Sequence, residues 1–335
     1  MGSISHRGHI PFVGRRDELR RLALHRSYLE GNRERGRHLV VVEGFSGVGK
    51  TALVQEFLAS LEQDGRSFTP RGAYSPYLRR PILGPLLDAL DSLFVGGFAQ
   101  RNLRSIFTDA TYYPLLERLP LLSSAIGYEP HDRIGGSAEP AMLAALIASA
   151  LAHAAHFRPV VLLLDDIQWM PQEDLETMPA LNSGLHNAPV LILATMRRDG
   201  GEPAPLRDAL RKLSLDDLYL PPLTPPDIAA LVTEMYGAQV SSQIAADIAH
   251  VSEGVPMRAV EILRTLIDRG VLIDGQGGNC RLSPGYHRRM LAEEGGIAER
   301  VRRLDRDEVR TLLLLNCASG VARRDELANW FAMLP

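Results

Sequence analysis

Continuous apolar runs alternate with helical patterns along the first two thirds of the chain. A run without polar residues at alternate positions indicates a strand that is buried on both faces. Strands that alternate with helices indicate a parallel sheet, and we therefore predict an α/β fold with helices on both faces of that sheet. The strongest runs are residues 39–42, 160–164 and 190–194, and the weaker candidates are 68–73 and 218–220.

Helical patterns replace the strand signals after residue 223. Residues 225–236, 241–251 and 256–269 predict three helices. Pro225 and Pro256 suit the start of a helix, because the first turn does not use the N–H that proline lacks. This part of the chain therefore predicts a small helical region after the α/β region.

The remaining part of the chain predicts a hairpin and two more helices. Residues 270–283 predict a β-hairpin with its turn at 275–278. A polar linker near 292–296 leads to predicted helices at 306–317 and 323–333, whose apolar residues need a partner. We therefore expect this chain to be the front part of a longer protein.

Two stretches within the α/β region differ from the strand and helix pattern. Residues 112–140 are rich in Pro, Gly and Ser and predict a surface insertion. Residues 142–155 are apolar and rich in Ala. That run is shorter than the roughly 18 residues of a membrane span, so it predicts a buried helix of a soluble protein.

Composition limits the classes of protein to which the chain can belong. Its 335 residues, 45% of them hydrophobic, suffice for two or three compact domains. The net charge of −3 lacks the basic excess of a general nucleic-acid-binding protein. Cys280 and Cys317 are too few for a disulfide framework and indicate a reducing compartment. Because the N-terminus has no apolar signal core, we expect a cytoplasmic protein with no membrane partner.

The motif G-x-x-x-x-G-K-[ST] follows the first strong run, and a helical pattern begins directly after it. In this context the glycines let backbone N–H groups point at phosphate oxygens, and the helix N-terminus attracts the same negative charge. We expect Lys50 to reach the β and γ phosphates of bound ATP or ADP, and Thr51 to bind Mg²⁺. Lys50 is one of only two lysines in the chain, so a lysine here is informative. The predicted nucleotide-binding residues of the loop are Gly44, Ser46, Gly47, Val48, Gly49, Lys50, Thr51 and Ala52.

Charged residues end the other two strong runs. Asp165 and Asp166 follow the second run, at the end of a parallel strand where ligands bind in such sheets. We predict that Asp165 holds Mg²⁺ and that Asp166 polarises the attacking water. The third run ends in Arg197 and Arg198. We assign the contact with the γ-phosphate to Arg197.

Two weaker motifs lie before and after these residues, at 12–15 and at 253–256. Taken in order, all the motifs resemble those of the STAND class of signal-transduction ATPases, a branch of the AAA+ related P-loop proteins. The similarity is greatest to the ATPase module of maltose-regulator-like and large LuxR-type regulators. Its more specific parts are the Asp-Asp-x-Gln-Trp motif at 165–169 and the Gly-x-Pro motif at 254–256.

This resemblance implies a domain order and further nucleotide contacts. It implies a flexible N-terminus at 1–11 and a P-loop domain at 12–222, with the parallel sheet sandwiched by helices. A helical lid with a terminal hairpin at 223–290 and a partial winged-helix-like region at 291–335 are expected to follow. The lid would read the bound nucleotide. The additional nucleotide-binding residues that the resemblance implies are Val13, Gly14, Arg15 and Pro256.

The resemblance also implies a mode of action. ADP would hold a closed, monomeric resting state, and exchange for ATP would open the lid and permit self-association. Hydrolysis would be slow and would reset the switch. We expect sensor and effector domains, or a partner protein, to provide the signal and the output.

Two alternatives remain open. The C-terminal region could form a winged helix that docks in a DNA groove, as in replication-origin ATPases, with Arg300, Arg302 and Arg303 as its basic residues. The predicted helix at 306–317 is rich in Leu and not basic, which argues against DNA recognition. A small-molecule or nucleotide kinase uses the same loop, but the long lid and the acidic strand end argue against a kinase.

Overall fold

The computed structural model describes residues 10–31, 37–77, 80–95, 107, 109–128, 139–198, 204–236, 239–274 and 279–283. These residues form two compact units. The chain passes from one unit to the other between Gly14 and Arg15, and again between Pro221 and Pro222. The first unit is the segment from Arg15 to Pro221, and the second combines the residues on either side of it. The second division lies beside the predicted boundary at 222, whereas residues 12–14 belong with the second unit.

A five-stranded parallel sheet forms the centre of the first unit, which confirms the predicted α/β fold. The strands are β1 (Leu39–Gly44), β2 (Arg71–Ala73), β3 (Val160–Asp165), β4 (Val190–Arg197) and β5 (Ser214–Tyr219). Their order across the sheet is β2-β3-β4-β1-β5. The three strong apolar runs therefore became the three central strands, where both faces of each strand are covered.

The two weaker strand candidates lie at the edges of this sheet. β2 is shorter than predicted, and only an isolated bridge from Phe68 to Val160 extends it. β5 begins at Ser214, earlier than predicted, and includes Asp216 and Asp217. An edge strand accepts such polar residues because one side of it remains open to solvent or to a neighbouring helix. The pattern of apolar residues did not indicate the start of β5, because this part of the strand contains these polar residues.

Helices cover the sheet of the first unit. Val40 and Val41 point to opposite faces of β1, and both are fully buried. The helices are α1 (Arg16–Gly31), α2 (Lys50–Asp64), α3 (Gly84–Val95), α4 (Tyr113–Leu116), α5 (Pro120–Ile126), α6 (Pro140–Ala155), α7 (Gln172–Gly184) and α8 (Ala204–Leu213).

The predicted surface insertion at 112–140 is wrong for its described part. Helices α4 and α5 belong to the main apolar core, and their leucines Leu115, Leu116 and Leu122 are at most 2% exposed. The Asp91 carboxylate accepts hydrogen bonds from the N–H groups of Leu121 and Leu122 at the start of α5. Part of the Pro and Gly content reflects the ends of these helices, since both have proline in the first turn and α5 is followed by Gly127. Residues 129–138 lie outside the described residues.

The buried helix predicted at 142–155 is confirmed as α6, which has nine buried residues. Its Ala-rich faces pack against α7, where Gly184 lies so close that an added Cβ would come within 2.6 Å of Ala148. Among the described helices, none combines the length and the apolar character that crossing a membrane would need.

The second unit is mainly helical, as predicted. It contains α9 (Pro225–Tyr236), α10 (Ser242–Ser252) and α11 (Pro256–Asp268), whose apolar faces share one core. The predicted hairpin is confirmed, because β7 (Leu272–Asp274) and β8 (Asn279–Leu282) pair antiparallel. A short strand that the sequence did not indicate, β6 (Gln239–Val240), pairs with β8 in parallel.

Gly254 has a structural role within the second unit. Its φ of 73° lies in the left-handed region, and an added Cβ would lie 2.4 Å from the Leu223 carbonyl oxygen. The N–H of Leu223 also donates to the carbonyl oxygen of Gly254 at 2.7 Å. The glycine of the Gly-x-Pro motif is therefore required to join α10 to α11, and Pro256 begins α11.

Several predictions lie outside the described residues. They are the flexible N-terminus up to residue 9, the hairpin turn at 275–278, the linker near 292–296, the helices at 306–317 and 323–333, the winged-helix-like region at 291–335 and the basic residues Arg300, Arg302 and Arg303.

Candidate functional site

The glycine-containing loop between β1 and α2 has the backbone that its motif predicts. Gly47 and Gly49 adopt left-handed conformations, with φ of 75° and 98°. At Gly44 the requirement is space, because an added Cβ would lie 2.9 Å from both the Leu220 carbonyl oxygen and the Val48 side chain. Each glycine of the motif therefore meets a separate backbone requirement.

The Lys50 side chain folds back over this loop. It is 7% exposed, and its Nζ donates to the carbonyl oxygens of Gly44 and Phe45 at 3.0 and 2.9 Å. These acceptors are neutral, whereas a phosphate oxygen is charged and would form a stronger bond with an ammonium group. The amine thus lies against the backbone of the loop, and its contact with a β or γ phosphate stays a prediction.

Asp165, at the end of β3, connects this strand to α2 and to β4. Its Oδ1 accepts a hydrogen bond from Thr51 Oγ1 at 3.0 Å and a short one from the Thr195 hydroxyl. Burial raises the pKa of Asp165, and the charge of Asp166 adds to this effect. Hydrogen bonds from Thr195, Thr51 and the Asp166 N–H oppose it. The carboxylate at the end of β3 is therefore fixed beside the first turn of α2.

The pair Thr51 and Asp165 fits the predicted magnesium site. The described residues contain no group of three His, Cys, Asp or Glu side chains that could hold a metal ion. Mg²⁺ does not need such a group, since it is usually bound through one or two carboxylates together with substrate phosphates and water. A hydroxyl oxygen and a carboxylate oxygen that already lie 3.0 Å apart are suitable protein ligands for it.

Asp166 turns away from the line of β3. Its φ of 56° is left-handed, which is unusual for a residue other than glycine and common at functional sites. Its N–H donates to Thr195 Oγ1 at 2.9 Å, and its Oδ1 accepts from Gln168 Nε2 at 2.8 Å. A short 3-10 helix, Ile167–Trp169, follows. The two acids thus have different side-chain partners, and their different roles stay predictions.

The end of β4 distinguishes Arg197 from Arg198. Side chains alternate along a strand, so Arg197 shares the face of Thr195, and Thr195 contacts Asp165. The Arg198 guanidinium instead lies 3.7 Å from Glu43 and 5.2 Å from the centre of the Tyr219 ring. The alternation favours Arg197 as the residue on the phosphate side, and its contact with phosphate stays a prediction.

The Arg15 guanidinium forms hydrogen bonds with the backbone of the phosphate loop and of a neighbouring segment. Its Nη2 donates to the carbonyl oxygens of Val48 at 3.3 Å and of Pro221 at 2.6 Å, and its Nη1 pairs with Glu18 at 3.1 Å. The side chain is only 6% exposed. The resemblance implied a nucleotide contact for Arg15, and that contact stays a prediction. What the described contacts show is a guanidinium that holds the loop backbone.

The other predicted contacts are distributed between the two units. Ser46 and Ala52 are exposed at the loop and at the start of α2. Val13 packs against the apolar core of the second unit, and an added Cβ at Gly14 would lie 3.0 Å from Asp227 of the same unit. Together with Pro256, these residues remain predicted nucleotide contacts.

Two residues near the acids were given no role from the sequence. Thr195 is fully buried and bonds to both Asp165 and Asp166. Gln168 bonds to Asp166 and, through its Oε1, to the backbone N–H of Arg197 at 3.1 Å. The sequence signal for Thr195 was a threonine within an otherwise apolar central strand. The signal for Gln168 was its place in the Asp-Asp-x-Gln-Trp motif.

The glycine loop between a central strand and a helix, with acids at the end of a neighbouring parallel strand, defines a P-loop nucleoside triphosphatase. Residues 11–193 match the model of the AAA ATPase domain family. This match covers more than half of the chain, and the chain belongs to that family. The prediction of an AAA+ related P-loop ATPase is thereby confirmed.

Several solved structures are similar to this chain in fold. ORC1 of Aeropyrum pernix, solved in complex with DNA, has 15% identity and a TM-score of 0.50, with 97% of this chain and 78% of that chain covered. Cdc6p from Pyrobaculum aerophilum has 15% identity and a TM-score of 0.48, with 80% and 65% covered. A STAND protein with a tetratricopeptide repeat sensor from Pyrococcus horikoshii has 16% identity and a TM-score of 0.43, with 91% and 34% covered.

The chain therefore spans 65% of the Cdc6p chain and about a third of the STAND chain. At these identities the similarities concern the fold alone. No curated protein matches the sequence.

Proposed function

We propose that this chain is an ATP-dependent switch of the STAND class, which binds ATP, hydrolyses it slowly and changes its assembly state with the bound nucleotide. One observation carries the proposal. A continuous series of hydrogen bonds runs from Thr51 through Asp165, Thr195, Asp166 and Gln168 to the end of β4. It joins the groups suited to metal and water with the strand end that would meet the γ-phosphate.

Each group in this series has a defined part in the proposed reaction. Lys50 and the loop N–H groups bind the β and γ phosphates, while Thr51 and Asp165 hold Mg²⁺. Bound Mg²⁺ would neutralise charge on the phosphates. Asp166 orients and polarises the attacking water, and Arg197 stabilises the charge on the γ-phosphate.

Slow hydrolysis follows from the choice of Asp166 at this position. Its carboxylate stands on a side chain one methylene shorter than that of glutamate. The shorter side chain limits its approach to a water beside the γ-phosphate, and geometry of this kind controls rates strongly. The ATPase therefore serves as a reset and not as a source of rapid turnover.

The switch function is supported by the N-terminal segment. Val13 packs into the core of the second unit, and Arg15, two residues later, holds the Val48 carbonyl of the phosphate loop in the first unit. A segment attached to both units can pass a change in the loop to the second unit. ATP would then favour the open, self-associating state through its differential contacts, and ADP the closed one. Sensor and effector domains, or a partner protein, would supply the signal and the output.

Nucleotide content, turnover and assembly test the proposal together. We expect co-purified ADP, turnover below roughly one per second, and a larger mass in light scattering with ATP than with ADP. Lys50→Ala should abolish nucleotide binding. Lys212→Ala is the matched control, since Lys212 is the other lysine and is exposed on α8. A protein that stays monomeric with both nucleotides, even with its inducer and remaining domains supplied, would contradict the switch.

DNA binding is the alternative outcome of the same experiments. The A. pernix ORC1 structure, which shares this fold, contains DNA. If duplex DNA bound to this chain with an affinity that falls steeply with salt, an origin-ATPase-like role would replace the signalling switch. Absence of binding at low salt would remove that alternative. Phosphate transfer from ATP to an acceptor other than water would instead favour a kinase.

A further inference from the structure

The side-chain amide of Gln168 bridges two groups of the proposed site. Its Nε2 donates to Asp166 Oδ1 at 2.8 Å, and its Oε1 accepts from the Arg197 backbone N–H at 3.1 Å. Gln168 lies in the short 3-10 helix after β3, whereas Arg197 is the last residue of β4. One amide thus connects the acid after one strand to the end of the next strand.

The chemistry of the two partners fixes the orientation of this amide. An ionised carboxylate only accepts hydrogen bonds, and a backbone N–H only donates them. If the amide were flipped, its oxygen would face the Asp166 carboxylate and its NH₂ group would face the Arg197 N–H. Both contacts would be repulsive, so the amide has a single satisfactory orientation.

We propose that Gln168 is a positioning residue that orients the Asp166 carboxylate for water attack and ties it to the end of β4. The inference rests on the proposed function, because it assigns Gln168 to the same reaction. The backbone of Asp166 is left-handed, and the Gln168 amide restricts the rotation of the Asp166 side chain. Oδ1 is engaged by the amide, which leaves Oδ2 to accept a hydrogen bond from the attacking water.

The second hydrogen bond of the Gln168 amide couples the position of Asp166 to the end of β4. Because Oε1 is held by the backbone of Arg197, a shift at the end of β4 would move Gln168 and, with it, the Asp166 carboxylate. Arg197 is the residue expected to meet the γ-phosphate. The position of the water-polarising group is therefore coupled to the strand end that senses the phosphate.

The test uses a variant that keeps the shape of Gln168 and removes both hydrogen bonds. In the full chain, Gln168→Met should lower kcat for ATP hydrolysis about ten- to a hundredfold, as expected for a misplaced catalytic group. KM and the dissociation constant of ATP should change less than twofold. Gln172→Met is the matched control, because Gln172 is exposed at the start of α7, and it should leave kcat unchanged.

A double-mutant cycle separates positioning from a structural role. If Gln168 acts through Asp166, adding Gln168→Met to Asp166→Asn should produce no further loss of kcat. The inference would be overturned if the kcat losses of the two single variants multiply in the double variant, or if Gln168→Met leaves kcat unchanged. It would also be overturned if Gln168→Met lowers ATP affinity and melting temperature together with kcat. If Gln168→Met does not fold, Gln168→Glu replaces it. That variant keeps the acceptor for Arg197, places a second carboxylate beside Asp166 and should lower kcat in the same way.

Failure of the inference and failure of the proposed function give different results. If Asp166→Asn abolishes hydrolysis and the Gln168 variants do not, the positioning role alone is wrong. If Asp166→Asn hydrolyses ATP at the normal rate, the role of Asp166 in the proposed function is wrong, and the positioning role falls with it.

Discussion

The Thr51 hydroxyl donates a hydrogen bond to Asp165 Oδ1 over 3.0 Å, and this bond joins the start of α2 to the end of β3. The two residues are 114 positions apart in the chain. The hydroxyl is therefore already placed beside the carboxylate with which it would share a metal ion.

Removal of that hydroxyl should separate nucleotide binding from hydrolysis. Thr51→Val keeps the shape of the side chain but cannot bind Mg²⁺, so we expect Mg²⁺-dependent ATP hydrolysis to fall roughly a hundredfold. Binding of ATP without Mg²⁺ should be retained through Lys50. Steady-state turnover and calorimetric titration with and without Mg²⁺ measure both. Thr69→Val, which removes a hydroxyl bonded to Glu62 near the surface, should change neither quantity.

Loss of the Arg15 side chain should loosen the phosphate loop. Arg15→Ala leaves the carbonyl oxygens of Val48 and Pro221 without their guanidinium donor. We expect the free energy of unfolding to fall by about 1 to 3 kcal/mol and ATP affinity to weaken. Urea denaturation and nucleotide titration test this. The adjacent Arg16→Ala, at an exposed position, serves as the control, and equal effects of both substitutions would argue against the loop-holding role.

Asp174 should make the stability of the first unit depend on pH. It is 1% exposed and accepts hydrogen bonds from the Leu83 N–H and the Tyr74 hydroxyl. Burial raises the pKa of Asp174, and those hydrogen bonds only partly offset the effect. The folded protein therefore binds this proton more tightly than the unfolded chain does, whose Asp pKa is about 3.9. The resulting stability is complete below that value and is lost as pH rises through the raised pKa.

Replacement of Asp174 by asparagine, its neutral isostere, tests the predicted direction of this pH dependence. Asp174→Asn should melt at a higher temperature than the natural protein at pH 7, and the difference should disappear as the pH falls toward about 4. Differential scanning calorimetry across this range measures it. Glu176→Gln removes a charge from an exposed residue of the same helix and should show no such pH-dependent difference. A lower melting temperature for Asp174→Asn at pH 7 would contradict the predicted direction.

The helices at 113–126 should contribute to stability as core elements. Leu122 is 2% exposed and Leu121 is 57% exposed, although they are adjacent. We expect Leu122→Ala to lower the free energy of unfolding by about 2 to 5 kcal/mol, since it leaves a cavity in the core. Leu121→Ala should cost under about 0.5 kcal/mol. Similar small losses in both variants would restore the interpretation of this region as a surface insertion.

Much of this protein was determined by its sequence alone, because the signals were local. Uninterrupted apolar runs specify strands buried on both faces, and they correctly gave β1, β3 and β4 at the centre of the sheet. The glycine pattern at 44–49 corresponds to backbone conformations and close contacts that act over a few residues. The acids at 165 and 166 follow directly from the end of a predicted strand.

Only the tertiary structure decided how these residues are combined. The Thr195 hydroxyl meets Asp165 because β3 and β4 are neighbours with a fixed register. That register and the alternation of side chains place Arg197, and not Arg198, on the side of the acids. Arg15 reaches Pro221 across 206 positions of the chain. Such contacts depend on strand order and on packing, which no local pattern encodes, and they turn a phosphate loop and two acids into one connected site.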